Sequence, residues 1–110
     1  MIYLAPKAPA DVADYLIDLV DYIPAPAELD DVEVTIITAG NGEDPIALQV
    51  ESFNSVASPI VKDRNIAVLI WLSGGTKDVR YVGQISFSDT ASTEPDRRIE
   101  REFQIEVKKL

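Results

Sequence analysis

Two segments in the C-terminal half alternate between apolar and polar residues, the period-two pattern of a β-strand with one buried face. In residues 99–107, glutamate and glutamine alternate with the apolar set Ile99, Phe103, Ile105 and Val107. In residues 79–87, polar residues alternate with the apolar set Val79, Tyr81, Ile85 and Phe87. The pattern predicts two strands and places Tyr81, Phe87 and Phe103 in the structural core.

Three further segments have the composition of strands. The segment 66–72 reads Ile-Ala-Val-Leu-Ile-Trp-Leu, and turn residues follow it. A short run that is apolar at every position is typical of a central strand covered on both faces, which places Trp71 in the core as well. Residues 32–38 and 46–50 are two more strand candidates, rich in β-branched and other apolar residues.

Residues 11–23 fit two different structures. Helical spacing favours a short amphipathic helix near residues 10–22, with Asp11, Asp14, Asp18 and Asp21 on its outer face. Its apolar face would hold Val12, Tyr15, Leu16, Leu19, Val20 and Ile23. The alternative is a strand in which Tyr15, Ile17 and Leu19 point inward. Periodicity favours the helix, but both alternatives stay open.

Length and residue types limit the possible chemistry. The chain has 110 residues, which predicts a single domain over residues 1–110. It contains no cysteine and no histidine, so disulfides, thiolate metal sites and a Ser-His-Asp relay are excluded. The side chain that most often acts as a general base at neutral pH is therefore missing. We expect a non-enzymatic protein with no cofactor and no metal site.

The charge is negative and unevenly distributed along the chain. The net charge is −9, and residues 1–61 hold 11 acidic residues against the single basic residue Lys7. Residues 62–110 hold 8 acidic and 9 basic residues. This balance disfavours binding to nucleic acid or to an anionic membrane. No segment approaches the ~18 apolar residues of a membrane span, and no signal peptide is visible, so the cytoplasm is the expected site of synthesis.

Three loop segments resemble ligand sites only weakly. The Ser73–Thr76 segment is rich in glycine but lacks the Gly-Lys-Ser/Thr ending of a phosphate-binding loop, which favours a hairpin turn. The acidic pairs at residues 30–31 and 43–44 lack the Asp-x-Asp-x-Asp-Gly spacing of a Ca²⁺ loop. The sequence therefore favours solvated loop charges over a metal site.

The basic cluster formed by Arg97, Arg98 and Arg101 is the candidate partner-binding site. Arg101 falls on the same side of its strand as Phe103, so its guanidinium must reach a sheet edge or be covered by another chain. An acidic surface on a neighbouring subunit would suit this cluster. The alternative is that nearby carboxylates compensate the three charges, namely Glu94, Asp96, Glu100 and Glu102.

Two stretches of the chain resemble a known family. One is Pro-x-x-Pro-Ala-Asp-Val-Ala-Asp-Tyr-Leu-Ile-Asp at residues 6–18, and the other is Ile-Trp-Leu-Ser-Gly-Gly-Thr at residues 70–76. With Tyr81 and the charged segment 96–103, they are similar to small virion structural proteins of tailed bacteriophages. In that family the first stretch behaves as a strand and usually carries a tryptophan where this chain has Leu19.

The resemblance implies a mainly β fold, an immunoglobulin-like antiparallel β-sandwich of about seven strands. Residues 65–72, 79–88 and 98–108 would form a meander in it. The hydroxyl group of Tyr81 would tie a corner of the sandwich, and packing would replace the missing disulfide.

The resemblance also implies a function in the virion. We expect a non-enzymatic structural protein that binds other virion proteins in multiple copies within a repeated lattice. Capsid decoration is the first placement, the head–tail junction the second, and a tail or baseplate accessory the third. The alternative is a carbohydrate- or receptor-binding module, which requires exposed aromatic residues such as Tyr3 and Phe53.

Overall fold

The computed structural model describes residues 1–91 and 98–110 as two β-sheets packed face to face. Short 3-10 turns at Gly40–Gly42 and Pro45–Ala47 connect the third and fourth strands. In the described residues, no helix is long and apolar enough to cross a membrane. The fold is the predicted β-sandwich, and its strands are β1 Ile2–Tyr3, β2 Val12–Asp18, β3 Leu29–Ala39, β4 Leu48–Val56, β5 Ala67–Gly74, β6 Val79–Asp89 and β7 Ile99–Val107.

The strand order is that of an immunoglobulin-like sandwich. The four-stranded sheet has the order β1-β7-β6-β3, and the three-stranded sheet has the order β2-β5-β4. When the seven strands are lettered A to G in chain order, the two sheets contain the G-F-C and B-E-D arrangements of an immunoglobulin domain. The first strand pairs in parallel with β7, and all other pairs are antiparallel. The N-terminal segment continues along β7, where the Lys7 N–H donates to the Glu106 carbonyl at 3.1 Å.

The core lies between the two sheets and is built from alternate residues of each long strand. Packing density rather than covalent links holds such a core together, and each fully buried aromatic contributes a large share. Tyr81, Phe87 and Phe103 have no exposed surface. The other large and fully buried apolar side chains are Leu19, Leu48, Ile66, Ile70, Leu72, Ile85 and Ile105.

The helix predicted near residues 10–22 is wrong, and the strand alternative is right. Residues 12–18 pair with β5 along their whole length, with Tyr15 opposite Ile70. Ile17 and Leu19 are buried while alternate positions are exposed, as a half-buried strand requires. The helical spacing arose because Leu19 and Ile23 follow the strand in a turn-rich segment that also reaches the core. The four aspartates therefore form no helical stripe.

The predicted meander is wrong at its first connection. β5 is already paired on both sides, by β2 and β4, so it cannot also pair with β6. The segment 75–78 therefore crosses from one sheet to the other and is not a hairpin turn. Gly74 and Gly75 adopt φ values of 73° and 95° there, a region that side chains with a Cβ rarely occupy. The second connection is as predicted, since β6 and β7 pair antiparallel.

Candidate partner-binding site

The outer face of the four-stranded sheet is polar, as is usual for an antiparallel sheet facing water. Arg80 Nε donates to a carboxylate oxygen of Glu106 at 3.1 Å, and Lys108 lies 3.6 Å from the same carboxylate group. The hydrogen bond from Arg80 lowers the pKa of Glu106 below its ordinary value. Gln84 donates to Glu100 at 3.1 Å. Charges on this face are thus largely matched within the chain.

Arg98 is tied to this polar face by several contacts. Its Nε donates to the hydroxyl oxygen of Ser86 at 2.6 Å, and its Nη1 donates to the Asp31 carboxylate at 2.9 Å. Its Nη2 lies 4.0 Å from a carboxylate oxygen of Glu33. Two carboxylates of β3 therefore pair with the Arg98 guanidinium. No pattern in the local sequence indicates this pairing. Arg97 lies outside the described residues.

Arg101 stacks over an aromatic ring of the same chain. It occupies an inward position of β7, and its guanidinium carbon lies 4.6 Å from the centroid of the Tyr22 ring. Its Nη1 also donates to the Glu100 carbonyl at 2.7 Å. The side chain stays exposed while the Tyr22 ring is partly buried against the core. A role of Arg98 and Arg101 in partner binding stays a prediction.

The assignment of Trp71 to the core is wrong. Its side chain is 37% exposed, whereas its neighbours Ile70 and Leu72 are fully buried. β5 is the central strand of its sheet, as predicted, but only its inner face is well covered. Leu69 and Trp71 point outward, and these apolar residues concealed the alternation that would have distinguished the two faces.

Trp71 belongs to an apolar patch on the outside of the three-stranded sheet. The register sets Leu16 opposite Leu69 and Asp14 opposite Trp71, and opposed side chains on one face lie within contact distance. Val12 is 61% exposed and Leu16 is 45% exposed. We name this surface, formed by Val12, Leu16, Leu69 and Trp71, the Trp71 face. Exposed apolar side chains grouped on one sheet face mark a candidate interaction site.

Replacement of Trp71 by alanine should cost only about 1–2 kcal/mol of unfolding free energy. The reason is that a partly exposed side chain loses less apolar burial than a core aromatic, for which ~3–5 kcal/mol is usual. Thermal and denaturant unfolding of the wild type, Trp71→Ala and Trp71→Phe would measure this. Trp71→Phe is the control that retains an aromatic ring. A loss of unfolding free energy above ~3 kcal/mol for Trp71→Ala would show that Trp71 is a core residue.

The Ser73–Thr76 segment is fixed by two polar groups. The Tyr81 hydroxyl oxygen accepts a hydrogen bond from the Thr76 N–H at 2.7 Å, which ties this corner. The buried ammonium of Lys7 donates to the Gly74 carbonyl at 2.6 Å and to the Ala8 carbonyl at 2.7 Å. Burial lowers the pKa of Lys7, and the charge of Asp11 partly offsets this. The segment is therefore a rigid link between the sheets. Sequence reasoning missed Lys7.

In the parts of the chain that the structure describes, no group of three or more carboxylates comes together. Asp44 instead accepts a hydrogen bond from the Ile46 N–H at 3.1 Å and begins a 3-10 turn. Asp31 is the partner of Arg98. Both residues therefore have structural contacts.

The aromatic residues named for receptor binding lie apart. Tyr3 is 73% exposed on β1, at one edge of the four-stranded sheet. Phe53 lies on β4, which is an edge strand of the other sheet and packs against β3. Because β1 and β3 are opposite edges of the same sheet, Tyr3 and Phe53 share no common surface.

Comparison with known proteins relates this sandwich to one family. The sequence profile of the podophage GP4 fiber-tail adaptor protein gp77 family matches residues 7–106, which include β2 to β6 and all but the end of β7. The chain belongs to this family. It is therefore a structural protein of a tailed-phage virion, and it contacts other virion proteins. No curated protein matches the chain.

Proposed function

We propose that this protein is an adaptor that joins tail fibers to the tail of a podophage particle, acting through protein contacts and without catalysis. The family match over residues 7–106 carries the proposal. The fold suits this role, because a sandwich with strands of up to 11 residues holds its outer surfaces in fixed relative positions.

The tail is the placement that the family description favours. The sequence alone ranks a tail accessory third, after capsid decoration and the head–tail junction. An adaptor between fiber and tail is a tail accessory, so the family description moves that placement to the first rank. The separation of Tyr3 from Phe53 gives no support to the carbohydrate-binding alternative.

Virions produced without this protein should lack tail fibers while retaining filled heads and tails. A phage with an early stop codon in this gene would be grown in non-suppressing cells, with and without a plasmid copy of the wild-type gene. Mass spectrometry normalised to the major capsid protein gives the fiber content, and electron microscopy shows the fibers directly. Adsorption to host cells should fall together with the fiber content.

Two results would contradict the adaptor function. The first is a normal fiber content in particles that lack the protein. The second is a defect at the head, such as particles that lose DNA or lack tails, which would instead support the capsid or head–tail placement.

A further inference from the structure

The two outer faces of the sandwich differ in chemistry, because only that of the three-stranded sheet carries a group of exposed large apolar side chains among its polar ones. The four-stranded sheet presents the hydrogen-bonded pairs Arg80–Glu106, Gln84–Glu100 and Arg98–Asp31. The three-stranded sheet presents the Trp71 face. Within this chain the described residues place no further layer over that sheet, which is one half of a two-layer sandwich. An unsatisfied apolar face on a structural protein indicates a contact with another chain.

We propose that the Trp71 face is the docking surface for another virion protein whose contact region is apolar at its centre and basic at its rim. This inference rests on the proposed adaptor function and names the chemistry of one of its partners. Tryptophan is one of the residue types enriched among the binding hot spots near the centres of protein interfaces. Here it lies beside Leu69 on a rigid central strand, with Leu16 and Val12 on the adjacent strand.

The charge around the Trp71 face determines the chemistry of the partner. Strands β2, β4 and β5, which the structure describes at every residue, contain no lysine or arginine. Asp14 is exposed directly opposite Trp71, and the exposed Glu51 accepts a hydrogen bond from the Ser73 hydroxyl. Negative charge therefore borders the apolar patch.

The same charge argues against a second copy of this chain as the occupant. Two Trp71 faces brought together would set Asp14 and Glu51 of one copy against the acidic residues of the other. Like charges across an interface cost binding free energy, and the net charge of −9 adds a long-range repulsion. A partner with lysine or arginine around an apolar centre would instead gain binding free energy from apolar burial and from attraction to the carboxylates of Asp14 and Glu51.

The test uses fiberless particles produced without this protein, to which purified full-length protein is added back. Bound protein is measured after sedimentation, and fibers are then restored with extract from infected cells. If the partner is a tail protein of the particle, Trp71→Thr should raise the half-saturating concentration about 30-fold, the effect of losing an interface hot spot. Tyr3→Thr is the matched control, because it removes an exposed aromatic from a strand on the other sheet. It should change the half-saturating concentration less than about twofold.

A second pair of variants tests the charge. Asp14→Lys should weaken binding and reduce its sensitivity to salt, because the carboxylate that attracts the basic rim is reversed. Glu102→Lys makes the same change on the outer face of the four-stranded sheet and should have little effect. Thermal unfolding of every variant checks that it is folded, and Leu16→Thr replaces Trp71→Thr if the latter is not.

The possible outcomes distinguish a wrong docking surface from a wrong adaptor function. If Trp71→Thr and Leu16→Thr bind to particles normally but no longer recruit fibers, the partner is the fiber, and the proposal holds. If both variants bind and recruit fibers as the wild type does, the surface is wrong while the adaptor function stands. A wild-type dimer that Trp71→Thr dissociates, measured by analytical ultracentrifugation, would identify a second copy as the occupant and overturn the proposal. Fibers that assemble without the protein would overturn the function itself.

Discussion

Gly83→Ala should lower the unfolding free energy by about 3 kcal/mol, a large effect for the addition of one methyl group. Gly83 lies in the middle of β6, directly opposite Phe103 of β7. The aromatic ring of Phe103 packs over the glycine, so a Cβ at this position would lie 2.1 Å from the ring atom Cζ. Phe103 is fully buried, so its ring cannot move aside without displacing other core residues.

Gly40→Ala is the matched control for this substitution. A Cβ at Gly40 would meet no atom closer than 3.5 Å, and its backbone has no positive φ. The change should therefore cost less than about 1 kcal/mol. Denaturant unfolding of both variants measures the difference, and the double variant Gly83→Ala/Phe103→Leu tests its cause. A smaller side chain at residue 103 should recover part of the loss, since the two changes act on one contact. Additive effects would show that the ring contact is not the cause.

The strands of the four-stranded sheet were largely predictable because their outer faces are polar. In β6 and β7, glutamate, glutamine and serine alternate with core residues, so the period of two is visible in the sequence. β5 was correctly predicted as a central strand, but Trp71 and Leu69 made its outer face look like a second inner face. The residue that contradicts the alternation is thus part of the candidate binding surface, as expected where function competes with folding.

The connections and the cross-strand partners were less predictable because they depend on long-range pairing. No local pattern shows that β5 pairs with β2 and β4, so the crossing between sheets could not be distinguished from a hairpin. The arginine cluster was visible in the sequence, but the partners of Arg98 were not, since Asp31 is 67 residues away. The buried position of Lys7 likewise depends on the Gly74 carbonyl, also 67 residues distant.

Gly74→Ala should also lower the unfolding free energy by about 3 kcal/mol, for two separate reasons. Gly74 has a φ of 73°, where an alanine pays about 1–2 kcal/mol of backbone strain. A Cβ there would in addition lie 2.6 Å from the backbone carbonyl oxygen of Ala47. That oxygen accepts a hydrogen bond from the Gly75 N–H at 2.7 Å, so it cannot move away without weakening this hydrogen bond.

Gly42→Ala separates the two contributions. Gly42 has nearly the same φ, 71°, but a Cβ there would meet no atom within 4 Å. Its cost should be the backbone strain alone, about 1–2 kcal/mol. Chemical denaturation of both variants then gives the cost of the Ala47 contact as the difference between the two losses. Equal losses of unfolding free energy would mean that the backbone at Ala47 shifts to accommodate the new Cβ. The crossing after β5 would then be less rigid than the contacts of Lys7 and Tyr81 indicate.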